Sequence, residues 1–196
     1  MEGGFFALIA RMRNIRRWGL MRNTFEENIQ EHSHMTAVLA HALALIRRDV
    51  FGREADPDKA AAAALFHDAS EIMTGDLPTP VKYLNGEIAG AYKAVESQAE
   101  ERLLKLLPPV LQQSYRETMQ CPDEGVRELV KAADKLSAYI KCVEELRAGN
   151  QEFRSAEAQI RQTLEASTLP EVQYFMEHFM PSFGLTLDEL TKGDGV

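Results

Sequence analysis

The apolar positions of this 196-residue chain recur at helical spacing over most of its length. Residues three and four apart share a helix face, so that spacing marks amphipathic helices. Phe5, Phe6, Leu8, Ile9, Met12 and Ile15 approximate such a stripe and predict a short first helix. It is expected to fray at Arg17-Trp18-Gly19, with Gly19 as its C-cap. Asn28-Ile29-Gln30-Glu31 puts Asn at N-cap and Glu at N3, close to a capping box. A second helix follows, with His32, Met35, Leu39 and Leu43 on one face. Asp56-Pro57 starts a third, since proline suits the first helical position. That helix takes in the small residues Ala60 to Ala64. Leu65 and Phe66 favour its continuation, so His67 and Asp68 are expected still to lie on it.

The pattern breaks at Thr74-Gly75-Asp76-Leu77-Pro78-Thr79-Pro80, where two prolines and a glycine predict a rigid, irregular loop. Thr79-Pro80 forms an N-cap and N1 pair for a short helix from Val81. Residues 87 to about 107 form the next, with Val95, Ala99, Leu103, Leu106 and Leu107 as core, and Pro108-Pro109 ends it. The strongest periodicity runs from Asp123 to Ala148. Val126, Leu129, Val130, Ala133, Leu136, Ile140, Val143 and Leu146 face inward there. Gly149-Asn150 closes that helix. Helices near 151–166 and 170–179 follow, and Lys192 to Val196 reads as a loose tail. The sequence holds no alternating strand pair, no glycine-rich phosphate loop and no internal repeat. The expected class is all-α: a compact bundle of irregular, non-parallel helices in one domain spanning 1–196.

Composition narrows the setting. A hydrophobic content of 45% and a charged content of 27% are those of a soluble globular protein. No apolar run approaches the ~18 residues of a membrane span. The patch Phe5 to Ala10 precedes its arginines, whereas a signal peptide has its positive charges first. Cys121 and Cys142 fit no metal spacing and no disulfide framework, as in a reducing compartment. The expected location is cytoplasmic. The formal charge of −8 argues against a general nucleic-acid binder. Residues 1–22 are the exception, with Arg11, Arg13, Arg16, Arg17 and Arg22 against Glu2 alone. A small basic corner on an acidic body suits a phosphate on a small molecule better than a polyanion. By charge alone, a solvated basic helix face is the favoured explanation.

Candidate chemistry centres on His67-Asp68. Neighbours on a helix point about 100° apart, yet both can reach an ion lying between them. Glu71, four residues after His67 and three after Asp68, rises beside the same point. Asp134 interrupts the apolar stripe of the long helix, and a buried acid costs free energy unless it is paired. Lys131 and Lys135 flank it, so Asp134 alone reads as half of a surface ion pair. Together, His32, His67, Asp68 and Asp134 supply two imidazoles and two carboxylates from three helices. That mixture suits octahedral Mn²⁺, Co²⁺, Fe²⁺, Ni²⁺ or Mg²⁺ better than a closed structural zinc site.

The spacing His32 … His67-Asp68 … Asp134 resembles the HD-domain metal-dependent phosphohydrolases. More specific matches are Arg17-Trp18, Glu31-His32-Ser33, His67 to Glu71, Thr74 to Lys82 and Lys131 to Asp134. Together with the runs Tyr139 to Leu146 and Tyr174 to Met176, they look like the bacterial 5′-deoxynucleotidases of that superfamily. The resemblance covers nearly the whole chain, apart from the ends and about 108–123. It implies hydrolysis of deoxyribonucleoside 5′-monophosphates by a homodimer with one divalent ion, Co²⁺, Mn²⁺ or Cu²⁺ supporting activity. It also implies His32, His67, Asp68 and Asp134 as metal ligands within a core of about 28–146. Arg17 would orient the phosphate and Trp18 would border the sugar. Asp76, Leu77, Pro78 and Thr79 would close on the nucleotide, with His32 and Asp68 also lining its site.

The residues themselves leave some roles open. Arg17 has the planar fork that fits a phosphate. Glu71 can take or relay a proton from water, and Asp76 can protonate the leaving oxygen or hold Arg17. His34, His41 and His178 read as surface or packing residues, and Trp18 without the resemblance reads as a core plug. A phosphodiesterase or pyrophosphohydrolase acting on another small nucleotide is the alternative. Two-metal sites of that kind need further histidines between the doublet and the last Asp, and none lies between His67 and His178. A non-enzymatic helical module with a vestigial ligand set is the third reading, opposed by the intact set.

Overall fold

The computed structural model describes residues 3–82 and 84–192. Among the described residues there is no β-strand, and the antiparallel bridge of Arg16 with Asn28 stands alone. The α-helices are α1 (Phe5–Ile9), α2 (Ile29–Leu45), α3 (Pro57–Leu65), α4 (Glu71–Thr74), α5 (Thr79–Lys82) and α6 (Gly86–Leu104). They continue as α7 (Pro109–Met119), α8 (Glu124–Arg147), α9 (Arg154–Glu165), α10 (Pro170–His178) and α11 (Leu187–Thr191). Among the described residues no helix is long and apolar enough to cross a membrane.

Local chemistry sets where the central helices begin. The Asn28 side chain accepts from Glu31 N–H at 3.0 Å, and Asn28 N–H donates to the Glu31 carboxylate at 3.1 Å. This capping box starts α2. Asp56 caps α3 through Lys59 N–H at 3.0 Å, and Asp123 caps α8 through Val126 N–H at 3.2 Å. Each cap contributes about 1 kcal/mol. Between these helices lies the main core, with Leu39, Leu43, Leu129 and Leu136 nearly or fully buried. Buried leucines are worth roughly 1.5–3 kcal/mol each. Ala60, Ala63 and Ala64 are buried in the same core, and their small side chains let α3 lie close to α2 and α8.

A second, smaller core joins α1 to α6 and α7. Phe5, Ala69, Leu103, Leu104 and Leu107 are buried in it, with Phe66 and Tyr115 packed against them. It accounts for one departure from the sequence pattern. α3 stops at Leu65, and residues 66–70 form tight turns rather than helix. Phe66 N–H bonds Ala63 O at 3.2 Å, His67 N–H bonds Ala64 O at 3.3 Å and Ala69 N–H bonds Phe66 O at 3.0 Å. Phe66 packs beside Phe5 and Tyr115 while Ala69 is fully buried, so tertiary packing overrides the local preference for helix.

Other elements also differ from their sequence signals. The first helix continues as a 3₁₀ turn over Ala10–Asn14 and stops at extended Ile15, so Gly19 caps nothing. Ile15 O accepts Ile29 N–H, and Arg17 N–H donates to Glu27 O at 2.9 Å, which folds residues 15–28 into a strap beside α2. Val95 is exposed, because α6 buries only its last turns through Ala99, Leu103 and Leu104. Pro108-Pro109 ends one helix and also begins α7, with proline in its first turn. Thr186 forms a second capping box with Glu189 and starts α11. Residues 193–196 of the expected tail lie outside the described residues.

Candidate active site

α2 and α8 hold the first imidazole from both sides. His32, in the first turn of α2, is fully buried. On α8, Asp134 and Ser137 stand three residues apart and share a face. Ser137 Oγ lies 3.0 Å from His32 Nδ1, and Asp134 Oδ1 lies 3.0 Å from His32 Nε2. Asp134 therefore faces the buried histidine, which is how the interrupted stripe of the long helix is resolved. The second imidazole comes from the turn after α3. His67 Nδ1 is 2.7 Å from Ala64 O, a carbonyl that accepts and so fixes the proton on Nδ1. His67 Nε2 is buried without a hydrogen-bond partner, 3.1 Å from Asp68 Oδ2 and 4.0 Å from Asp134 Oδ1. His32 Nε2 is 3.6 Å from the same Asp68 oxygen.

This donor set fits a cation. With Ser137 at Nδ1 of His32 and Ala64 O at Nδ1 of His67, both Nε2 atoms face the two carboxylates, and His32 Nε2 also lies 3.4 Å from Thr36 Oγ1. Ligand atoms of His32, His67 and Asp68 all lie within 4.8 Å of one another. Ligands held at about 2.0–2.2 Å from an ion span comparable separations. The charges show the same demand. Burial disfavours an imidazolium at His67, but Asp68 and Asp134 outweigh it and push its pKa up to about 9. Burial would raise the Asp68 carboxyl, yet His67, His32 and Arg17 hold it well below the usual carboxylate range. Asp134 is likewise pushed up by burial but held down overall by His32 and His67.

The strap brings in Arg17 and Trp18. Arg17 Nε donates to Glu27 Oε2 at 3.1 Å, whereas its Nη1 lies at a looser 3.5 Å from Asp68 Oδ2. The guanidinium thus bridges the strap and the histidine–carboxylate cluster. Trp18 has φ 58°, the only positive φ outside glycine among the described residues, and its indole N–H donates to Glu27 Oε2 at 3.0 Å. Glu71 opens α4 and is buried, with Oε2 unpartnered. Burial, and then Asp68 and Asp76, push its pKa up to about 9. Asp76 follows Gly75, whose φ of 71° turns the chain out of α4. Burial raises the Asp76 carboxyl despite the opposing pull of Arg17 and a hydrogen bond from Trp18 N–H. Leu77 and Pro78 are half-buried in the loop, and the Thr79 side chain lies outside what the structure describes.

Arg17, His32, His67, Asp68, Glu71, Asp76 and Asp134 are therefore brought together, although His67 and Asp68 sit on a turn. Sequence reasoning missed Ser137 and Glu27. The i,i+3 spacing from Asp134 could have found Ser137. Glu27 lies just before a helix cap and carries no periodic signal.

Comparison with known proteins gives the fold and the family. The chain matches an HD-domain phosphohydrolase from Listeria innocua with a TM-score of 0.79 at 24% identity, covering 91% of this chain and 87% of that one. That shows the fold, an HD-domain helical bundle. An HD phosphohydrolase of cyanophage S-2L, solved with dA and one catalytic Zn²⁺, matches at TM-score 0.64 and 25% identity, covering 92% and 96%. Residues 4–183 match the family described as 5′-deoxynucleotidase YfbR-like. The 5′-deoxynucleotidase of Shewanella oneidensis is 49% identical over 189 residues, covering 95% of this chain and 97% of that one. The chain belongs to the 5′-deoxynucleotidase YfbR-like family. It is an enzyme, a phosphoric monoester hydrolase.

Proposed function

We propose that the chain hydrolyses deoxyribonucleoside 5′-monophosphates to deoxyribonucleoside and phosphate, with one divalent ion held by His32, His67, Asp68 and Asp134. The observation that carries this is the convergence of two imidazole Nε2 atoms on two carboxylates, with the Arg17 fork beside them. When bound, a divalent ion there acidifies a water and polarises a phosphoryl oxygen. Co²⁺ and Mn²⁺ suit the mixed nitrogen and oxygen set. The remaining roles belong to the chain's own groups.

Arg17 is tied at Nε by Glu27 and only loosely engaged at Nη1, so its outer edge is free to take the phosphate in a bidentate grip. Glu71 stands beside the ligand turn with an unpartnered oxygen, and with a cation in place to offset the acids that raise its pKa it would accept or relay the proton of the attacking water. Asp76 faces Arg17 from the opposite loop and donates to the leaving 5′-oxygen or holds the guanidinium. Trp18 borders the sugar and disfavours a 2′-hydroxyl. Asp76, Leu77, Pro78 and Thr79 close over the nucleotide, with His32 and Asp68 below it. The working form is a cytoplasmic homodimer.

The test follows phosphate release from a panel of 5′-nucleotides, and ring opening of cyclic dinucleotides by chromatography, with and without each divalent cation. Cation-dependent release from deoxynucleotides supports the reading, and cleavage confined to cyclic dinucleotides overturns it in favour of a phosphodiesterase. Glu71→Ala should abolish turnover while calorimetry still finds the metal bound. A wild-type kcat in that variant removes Glu71 from the mechanism.

A further inference from the structure

We propose that Glu27 is a positioning residue that locks Arg17 and Trp18 into one unit, so that a single carboxylate oxygen sets both phosphate orientation and sugar discrimination. This rests on the roles given above to Arg17 and Trp18. Glu27 Oε2 accepts from Arg17 Nε at 3.1 Å and from Trp18 Nε1 at 3.0 Å. The Glu27 and Arg17 side chains are only 14% and 12% exposed, so water competes weakly for the pair.

The backbone explains how adjacent side chains reach one acceptor. Successive side chains of an extended segment point to opposite sides. Trp18 breaks that alternation with φ 58°, a left-handed conformation that is strained for a residue with a side chain. The indole hydrogen bond to an ionised acceptor offsets that cost, since charge-assisted bonds are the stronger kind. Phe153 packs against the indole with ring centres 5.3 Å apart, so the ring is held both by its nitrogen and by its face.

Glu27 is itself fixed. Its carbonyl accepts Arg17 N–H at 2.9 Å, and the next residue is Asn28, the N-cap of α2. His32 N–H bonds Asn28 O at 3.0 Å, so the cap that starts α2 also places a metal-facing histidine. Glu27 therefore ties the phosphate and sugar contacts to the same helix start as the cation site. It touches neither the cation ligands nor the reacting atoms, and it acts through Arg17 and Trp18.

The experiment compares dAMP and AMP hydrolysis by the full, Co²⁺-loaded protein as wild type, Glu27→Ala and Glu27→Gln. Alanine should reduce the ratio of kcat/KM for dAMP over AMP by about tenfold, the scale of a lost hydrogen bond to a charged acceptor. Its KM for dAMP should rise as Arg17 loosens, with Co²⁺ affinity by calorimetry unchanged. Glutamine keeps an acceptor oxygen for the indole and should restore most of the ratio, while KM stays raised for want of charge. The ratio does not depend on how much enzyme is folded, so a merely structural role leaves it unmoved. An active wild type whose ratio is unchanged in Glu27→Ala overturns this inference alone. A wild type that releases phosphate from neither nucleotide overturns the functional reading and this inference with it.

Discussion

Two arginine–carboxylate clusters occupy opposite parts of the molecule and do different things. Arg47 lies in the π-helical turn Ile46–Val50 that ends α2, and donates through Nε to Glu171 at 2.6 Å. Glu171 sits in the first turn of α10, fully buried, and Arg47 Nη1 also reaches Gly125 O on α8 at 3.4 Å. The cation meets one buried acid, with half-exposed Glu128 of α8 at a looser 3.7 Å, and three elements are fastened together. Around Arg17 the balance is different. Asp68, Glu27, Asp134 and Asp76 all act on this one guanidinium, and Glu71 is buried nearby. The Arg47 cluster, with one buried acid and one exposed to solvent, closes on itself and supports the fold. An excess of acids around a single arginine leaves the site requiring a further cation, and through it an anionic substrate.

The comparison is sharpest where it is broken from each side. Asp68→Asn should lower cation-dependent phosphate release by at least about 100-fold, more than loss of a residue that merely hydrogen-bonds to a metal ligand usually costs. Its metal-free melting temperature should also fall at neutral pH, because His67, His32 and Arg17 favour the Asp68 carboxylate in the folded protein, but the loss of activity is the larger effect. Saturating Co²⁺ at about 100 times its Kd should stabilise the wild type by about 2.7 kcal/mol, and that gain should vanish in the variant. Arg47→Met should do the reverse. It leaves Glu171 buried and uncompensated, at a cost of about 3–5 kcal/mol, while kcat per folded molecule is retained. A thermal melt and an active-site titration check both halves.

A third cluster refines the contrast with a smaller effect. Lys141 and Glu145 form a buried pair on α8, and the strap rests on it. Lys141 donates to Phe25 O at 2.6 Å, and Glu145 accepts Thr24 N–H at 3.0 Å and Asn150 Nδ2 at 2.8 Å. Burial works against the Glu145 carboxylate, but these donors with Lys141 hold its pKa down at about 2. The folded value lies below the unfolded value of about 4.3. Its stabilisation is therefore complete above that pH and is lost as pH falls towards 2. Glu145→Gln should lower the melting temperature at neutral pH and flatten its decline between about pH 5 and pH 2, read from melts across that range.

Legibility followed the distance over which each decision is made. The starts of α2, α3 and α8 rest on caps within four residues, and the sequence shows them. The inward face of α8 rests on periodicity sustained over more than six turns. The end of α3 depends on Phe66 and Ala69 joining a core built by α1, α6 and α7, which no local pattern displays. α7 was hidden because Pro108-Pro109 stops one helix and starts the next. His32, His67, Asp68 and Asp134 were readable as a set from residue type and resemblance. Their support was not: Glu27 reaches Arg17 and Trp18 through a strap shaped by one left-handed residue.

The end of α3 has a consequence for how this protein could be altered. Ala64 O accepts both the backbone N–H of His67, at 3.3 Å, and its Nδ1–H, at 2.7 Å, because the helix no longer directs that carbonyl to the amide four residues on. An uninterrupted helix would offer it to the Asp68 amide instead, and the imidazole proton would lose its anchor. Substitutions chosen to lengthen and harden this helix would thus strengthen secondary structure while freeing the ring to swap tautomers. Thermostabilising redesign should leave that carbonyl turned towards His67.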